Sequence, residues 1–186
     1  MPGIGTVLRA VALAGCLGAG AAGCGGSPPS HPSPVLRARS AASPAGSAVA
    51  SAAPRMLILA AYAGMWHAYA AAARTADYEP GVLSQYAAGD ALMILTRSLY
   101  DDHQRGVVLR GAPALDPEVV ALTPAGSPDS SAVTDCADDS RWLQYTTSGQ
   151  PASGAPAGRH RIYARLQLFG AAWKVTALVV EKAGTC

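Results

Sequence analysis

The sequence predicts an α+β domain, N-terminal helices packed on a curved antiparallel sheet, preceded by an export signal and a tether. Three observations carry this. Every aromatic residue (seven Tyr, three Trp and one Phe) lies at Tyr62 or later. Ahead of Val107 the large apolar residues recur at helical spacing, and from Val107 onward the period changes to two. The first third of the chain has no ring to pack and few large aliphatics, so it cannot offset the entropy of ordering itself. Helices followed by a run of strands is an α+β order.

The 186 residues suffice for one ordinary domain with something left over. Half of them are hydrophobic, but only 6% are aromatic and 14% charged, and there is no Asn. Alanine and glycine therefore supply much of the apolar count, and each buries little area. A formal net charge of +2 excludes a nucleic-acid binder built on a basic surface.

Residues 1–23 read as a lipoprotein signal peptide. Arg9 is its one charge, and the fourteen residues Ala10 to Gly23 are small or apolar, too few for the ~20 of a spanning helix. Two stretches resemble a bacterial lipobox: Leu13-Ala14-Gly15-Cys16 and Ala21-Ala22-Gly23-Cys24. Cys24 leaves a full-length apolar core before it and is the preferred lipidation site, with Cys16 the alternative and a plain secretory signal the bland reading. Residues 24–55 are Pro, Ser, Ala and Gly in the main, a disordered tether by composition that reaches about 30 Å as a flexible coil. The tether carries Arg37, Arg39 and Arg55 and no acid, leaving ten basic residues against twelve acids beyond it. The domain itself is therefore acidic, and the tether's arginines either meet anionic head groups or simply keep the tether soluble.

The folded part spans 56–186. From Met56 to Asp77, Leu59, Tyr62, Trp66, Tyr69 and Ala73 form one helical stripe. Met56 to Ala73 carries no formal charge, yet its directional aromatic stripe marks a soluble amphipathic helix rather than a membrane span. A short helix over 82–88 follows, then a longer one from Ala91 to Asp102 with Asp90 as its N-cap and Arg105-Gly106 as its end. Strands are expected over 107–110, 118–123, 132–136, 141–145, 160–169 and 172–180. The third and fourth would pair around Ala137-Asp138-Asp139-Ser140, and the last two form a hairpin across the loop after Phe169. In that hairpin Ile162, Ala164, Leu166 and Leu168 share one face, as do Trp173, Val175, Ala177 and Val179. Cys136 and Cys186, the cysteines outside the signal, form a disulfide in an exported chain.

Several ordered pieces carry a family resemblance. They are Tyr62-Ala63-Gly64-Met65-Trp66, Ala73-Arg74-Thr75-Ala76-Asp77, Tyr86-Ala87-Ala88-Gly89-Asp90-Ala91-Leu92 and Arg110-Gly111-Ala112-Pro113, then Asp135-Cys136-Ala137-Asp138-Asp139, Trp142-Leu143, Trp173-Lys174-Val175 and Gly184-Thr185-Cys186. Together they span nearly all of 56–186, and the chain resembles a family of small secreted proteins and lipoproteins of high-GC actinobacteria. The resemblance implies the nuclear-transport-factor-2-like fold, a cone made by a bent sheet around helices, and no assigned activity.

No CxxC, Walker loop, HExxH or Gly-x-Ser-x-Gly is present. His67, His103 and His160 fall on separate elements without metal-ligand spacing, so each is expected at the surface or a helix end. Asp135, Asp138 and Asp139 lack a calcium-loop pattern and read as a turn whose side chains bond their own backbone. No metal or cofactor is expected. In a cone the first helix and the concave sheet face line a pocket, which makes Tyr62, Trp66, Tyr69, Tyr86, Trp142, Tyr163 and Trp173 the candidate lining. Asp90 beside Tyr62 or Tyr69 would supply a base and hydroxyl donors for isomerase-, dehydratase- or cyclase-like chemistry, although a helix cap is its simpler role.

The expected function is a lipid-anchored module on the extracytoplasmic face of the membrane, holding an apolar small ligand or an envelope protein. A cone-pocket enzyme and an inhibitory or structural interaction protein are the alternatives. A buried carboxylate in an open pocket favours the enzyme, and a cavity without acid favours binding.

Overall fold

The computed structural model describes residues 45–152 and 158–186. The expected signal peptide, both candidate lipidation sites and the expected tether up to residue 44 lie outside the described residues, as do residues 153–157. Helix α1 runs Ala45–Ala73, starting well upstream of Met56 and carrying Pro54 inside it. Alanine has the highest helix propensity of any residue, so an Ala/Ser-rich stretch that reads as tether by composition also continues a helix. Its buried stripe is Ile58, Tyr62, Met65, Trp66, Tyr69 and Ala73, with Leu59 at the flank. The span 52–73 is long and apolar enough to cross a membrane, with a mean hydropathy of 1.3, yet it packs that stripe against the sheet.

Helix α2 is the short Leu83–Tyr86, and α3 is Gly89–Arg105. Ala88, extended, takes the N-cap position of α3 with no side-chain bond, so Asp90 is not the expected cap. It lies exposed in the first turn, where a negative charge complements the helix dipole. Ala91, Leu95, Leu99 and Asp102 face inward at spacings of three and four residues. Gly106 ends the helix at φ +63°, a left-handed conformation that favours glycine, and its N–H returns to the Asp102 and His103 carbonyls.

Six strands follow: β1 (Val107–Arg110), β2 (Pro117–Thr123), β3 (Ser130–Asp138), β4 (Leu143–Thr146), β5 (Arg159–Phe169) and β6 (Ala172–Val180). A four-stranded antiparallel sheet has the order β2-β3-β5-β6, while β1 and β4 pair separately. The expected β3–β4 pair is therefore not formed. Both edges of β3 are taken, by β2 and β5, whereas the four residues of β4 match the four of β1 in register. Helix α1 packs on β6, β1 and β2, and α3 packs on β6 and β1.

The β5–β6 hairpin forms as expected, but the face of β6 changes midway. Arg165 pairs with Ala177 and Leu166 with Val175, which leaves Thr176 as an extra residue in a bulge. Trp173 and Val175 face the core, and beyond the bulge Leu178 does, leaving Val179 58% exposed instead of buried. On β5 the inward run also stops early, for Leu168 near the strand end is exposed.

Disulfide Cys136–Cys186 ties β3 to the chain end, with Cα atoms 6.0 Å apart. Around it the Gly184 N–H donates to the Arg159 carbonyl and the Arg161 N–H to the Thr185 hydroxyl, so the tail is sewn along β5.

A candidate ligand cavity between α3 and the sheet

Strand parity and helix spacing bring one set of side chains together. On β5, His160 shares the inward face of Ile162, Ala164 and Leu166, and it is buried. On β3, Val133, Asp135 and Ala137 point inward, and Asp139, one step past the strand end, continues that row. Helix α3 adds Ser98 and Asp102, α1 adds Trp66 and Tyr69, and the residue before β4 adds Trp142. Of these, His160, Asp139, Ser98, Asp102, Trp66, Tyr69 and Trp142 line a cavity of about 490 Å³, with Leu95, Leu109 and Leu178 among its apolar walls.

Three rings form one corner of it. Trp66, Tyr69 and Trp142 meet pairwise at centroid separations of 5.6–6.2 Å and interplanar angles of 75–87°. The Tyr69 hydroxyl donates to Ser98 Oγ at 2.9 Å. Burial, aided by the nearby Asp102 and Asp139 and opposed by Ser98, pushes the Tyr69 phenol up to about 12.

The charged groups are arranged in two pairs. Asp102, buried, pairs with the exposed head of Arg105 one turn along α3. Asp139 Oδ2 faces His160 Nε2 at 3.7 Å, an ion-pair separation when the imidazole is protonated. Burial pushes the Asp139 carboxyl above its ordinary value, while the facing imidazole pulls it down. His160 Nδ1 lies 3.4 Å from the Gly158 carbonyl, which fixes the ring's other edge. Asp139 Oδ1 and the Trp142 indole N–H are buried with no hydrogen-bond partner. So is the Trp66 indole N–H, which neighbours the Tyr62 phenol without completing a bond. A buried polar atom left unpaired costs about 1–3 kcal/mol.

Of the expected lining, Trp66, Tyr69 and Trp142 are in the cavity. Tyr62 is in the core instead, Trp173 is buried beneath the sheet face, and Tyr163 is 46% exposed on the outer face. Tyr86 covers Gly64 on α1, where a Cβ would overlap its ring. Asp90 is exposed. His160 departs from its expected surface position because its parity with Ile162 turns it inward. His67 and His103 are exposed, His103 against Tyr78. Of the acidic trio, Asp138 alone behaves as the expected turn, its carboxylate accepting the Ser140 N–H at 2.9 Å. Among the described residues no group of three or more His, Cys, Asp or Glu is placed to hold a metal ion.

No family profile and no curated protein matches the chain. Among solved structures, it is similar to the intermembrane space region of the chloroplast protein ARC6, with a TM-score of 0.38 and 16% identity over 63% of this chain and 89% of that one.

Proposed function

We propose that the domain is an extracytoplasmic ligand-binding module, held at the membrane by a lipid on Cys24 or, alternatively, Cys16. The observation that supports it best is the cavity of about 490 Å³, walled by three aromatic residues and by the polar side chains of Ser98, Asp102, Asp139 and His160. Small-molecule sites have this character: largely apolar, with a few placed polar groups. Location outside the cytoplasm is supported by the Cys136–Cys186 disulfide, since such bonds persist in oxidising compartments. The leader, its Ala-Gly-Cys stretches and the resemblance to small actinobacterial lipoproteins belong to the same reading.

Native mass spectrometry of protein extracted from its own envelope tests the ligand. A small molecule retained by the wild type and lost from Trp142→Ala is expected. A bare chain, or one that retains only an envelope protein, defeats the reading. Fatty-acid labelling tests the anchor: label surviving in a Cys16→Ala, Cys24→Ala double variant excludes it.

A second reading, acid–base chemistry, is favoured by the acids in the cavity wall, Asp102 and Asp139, since a buried carboxylate in an open pocket is the mark expected of the enzyme, and by the Asp139–His160 pair. A buried imidazole facing a carboxyl in a cavity wall has the geometry in which a proton can pass between a side chain and a bound molecule. Conversion of the retained molecule, abolished by His160→Gln, would separate catalysis from binding alone.

A further inference from the structure

We infer that the Cys136–Cys186 disulfide is a thiol-exchange site, at which a small thiol attacks Cys186 and Cys136 leaves as a thiolate held by Arg159. The Arg159 guanidinium lies against Cys136 Sγ, with Nη2 at 3.1 Å and Nε at 3.3 Å. Its cross-strand neighbour is Asp138, whose carboxylate accepts the Ser140 N–H. A bonded sulfur is a weak acceptor, whereas a thiolate is an anion that two guanidinium N–H groups hold in a charge-assisted pair. The contact therefore strengthens only as the S–S bond opens. That makes Cys136 the better leaving group of the two.

Access selects the other sulfur for attack. Displacement at sulfur runs in line, with the entering thiolate opposite the leaving one, so the attacked sulfur must be open to solvent. Cys136 sits on β3, flanked by β2 and β5, and is half-buried with the Arg159 head against it. Cys186 is exposed. The entering thiolate forms a bond to Cys186 Sγ while the old S–S bond breaks and its electron pair departs on Cys136. One S–S bond replaces another, so nothing but the thiol enters. The Gly184 N–H and the Thr185 hydroxyl remain bonded to β5, because neither bond involves a sulfur. The mixed disulfide therefore stays beside the thiolate, and the bridge re-forms when the thiol is withdrawn.

Brief exposure of the oxidised, folded full chain to mercaptoethanol, then capping with N-ethylmaleimide and peptide mapping, tests this. Mercaptoethanol is expected on Cys186 and the maleimide on Cys136, with Cys16 and Cys24 read on separate peptides. The reverse assignment overturns the inference, as does a bridge that opens only once urea has unfolded the domain. Arg159→Gln is expected to slow the opening roughly threefold, the scale of a weakened leaving group, and Arg159→Lys to restore much of the rate. The Arg159 side chain is exposed and its backbone carbonyl still accepts the Gly184 N–H in both variants, so the fold is kept. An unchanged rate in Arg159→Gln overturns the role of the guanidinium.

Discussion

The Tyr62 hydroxyl donates to Asp135 Oδ2 at 2.9 Å, fastening the buried face of α1 to the inward face of β3. The other oxygen of that carboxyl accepts the Asp116 N–H at 2.7 Å, so a fully buried acid is satisfied from a helix and from the segment leading into β2. Burial first, and then the Asp135 charge, push the Tyr62 phenol well above its ordinary value. Tyr62→Phe keeps the ring and removes the donor. It is expected to cost about 1–3 kcal/mol in urea unfolding, the scale of a hydrogen bond to a buried charged group. A cost below the error of the measurement would show that the bond is dispensable.

Alkaline unfolding follows from Tyr69. Its phenol ionises at an ordinary value near 10 in the unfolded chain and at about 12 in the folded one. Below pH 10 both states hold the proton and the stabilisation is complete. As pH rises from 10 to 12 the unfolded chain releases it first, so stability falls over that window. Tyr69→Phe is expected to flatten the decline, read from denaturant midpoints taken at successive pH values.

For Asp139 the direction of the shift gives a different sign at neutral pH. A carboxyl whose folded value is raised favours the protonated form, so its ionisation at pH 7 opposes folding, and the penalty disappears below the ordinary carboxylate range. Asp139→Asn should therefore raise the melting temperature at pH 7 and leave it unchanged near pH 3. A lower melting temperature at pH 7 would mean that the His160 pairing outweighs the cost of burial. The combination of a destabilising acid and a wall of the cavity is common where function sets the residue.

Opening the disulfide removes a constraint on a loop set by a sequence separation of 50. In the chain-entropy account a loop of that length is worth about 4 kcal/mol. A Cys136→Ser, Cys186→Ser variant is expected to lose stability on that scale. Amide exchange should quicken at Gly184 and Arg161, whose hydrogen bonds hold the tail along β5. Two reactive thiols in the oxidised, folded wild type would contradict the bridge.

Two glycines differ in how much a methyl group costs. At Gly64, alanine gains up to ~1 kcal/mol of helix propensity. Its Cβ would overlap the Tyr86 ring, which must swing away at a cost of roughly 1–3 kcal/mol, so a small net loss is expected. At Gly111 the backbone sits at φ +93° and the Cβ would strike the Arg141 carbonyl, a backbone atom that cannot rotate aside. Gly111→Ala should therefore be the more damaging, by thermal melting, and the reverse order would contradict the close backbone approach between Gly111 and Arg141.

Much of this protein was decided by short-range pattern. The stripe of Tyr62, Trp66, Tyr69 and Ala73, the stop at Gly106, the β5–β6 hairpin and the pairing of Cys136 with Cys186 all follow from spacing, glycine chemistry and the count of cysteines beyond residue 55. These depend on neighbours within a few residues, or on a count, and a sequence carries both. What only the tertiary structure decided is partner choice and direction. Whether β4 joins β3 or β1 depends on which edges are already taken. The face of β6 is reset by one extra residue at Thr176, and nothing in the alternation of Val175, Ala177 and Val179 announces it. The cavity shows the same division. Its aromatic members were legible from scarcity, because an alanine-rich chain has few rings to place. Its acids and His160 acquire their roles only when the ends of β3 and β5, the approach to β4 and one face of α3 close around the same space. Burial then raises the Asp139 carboxyl and leaves its second oxygen without a partner, a property of the enclosure rather than of the residue.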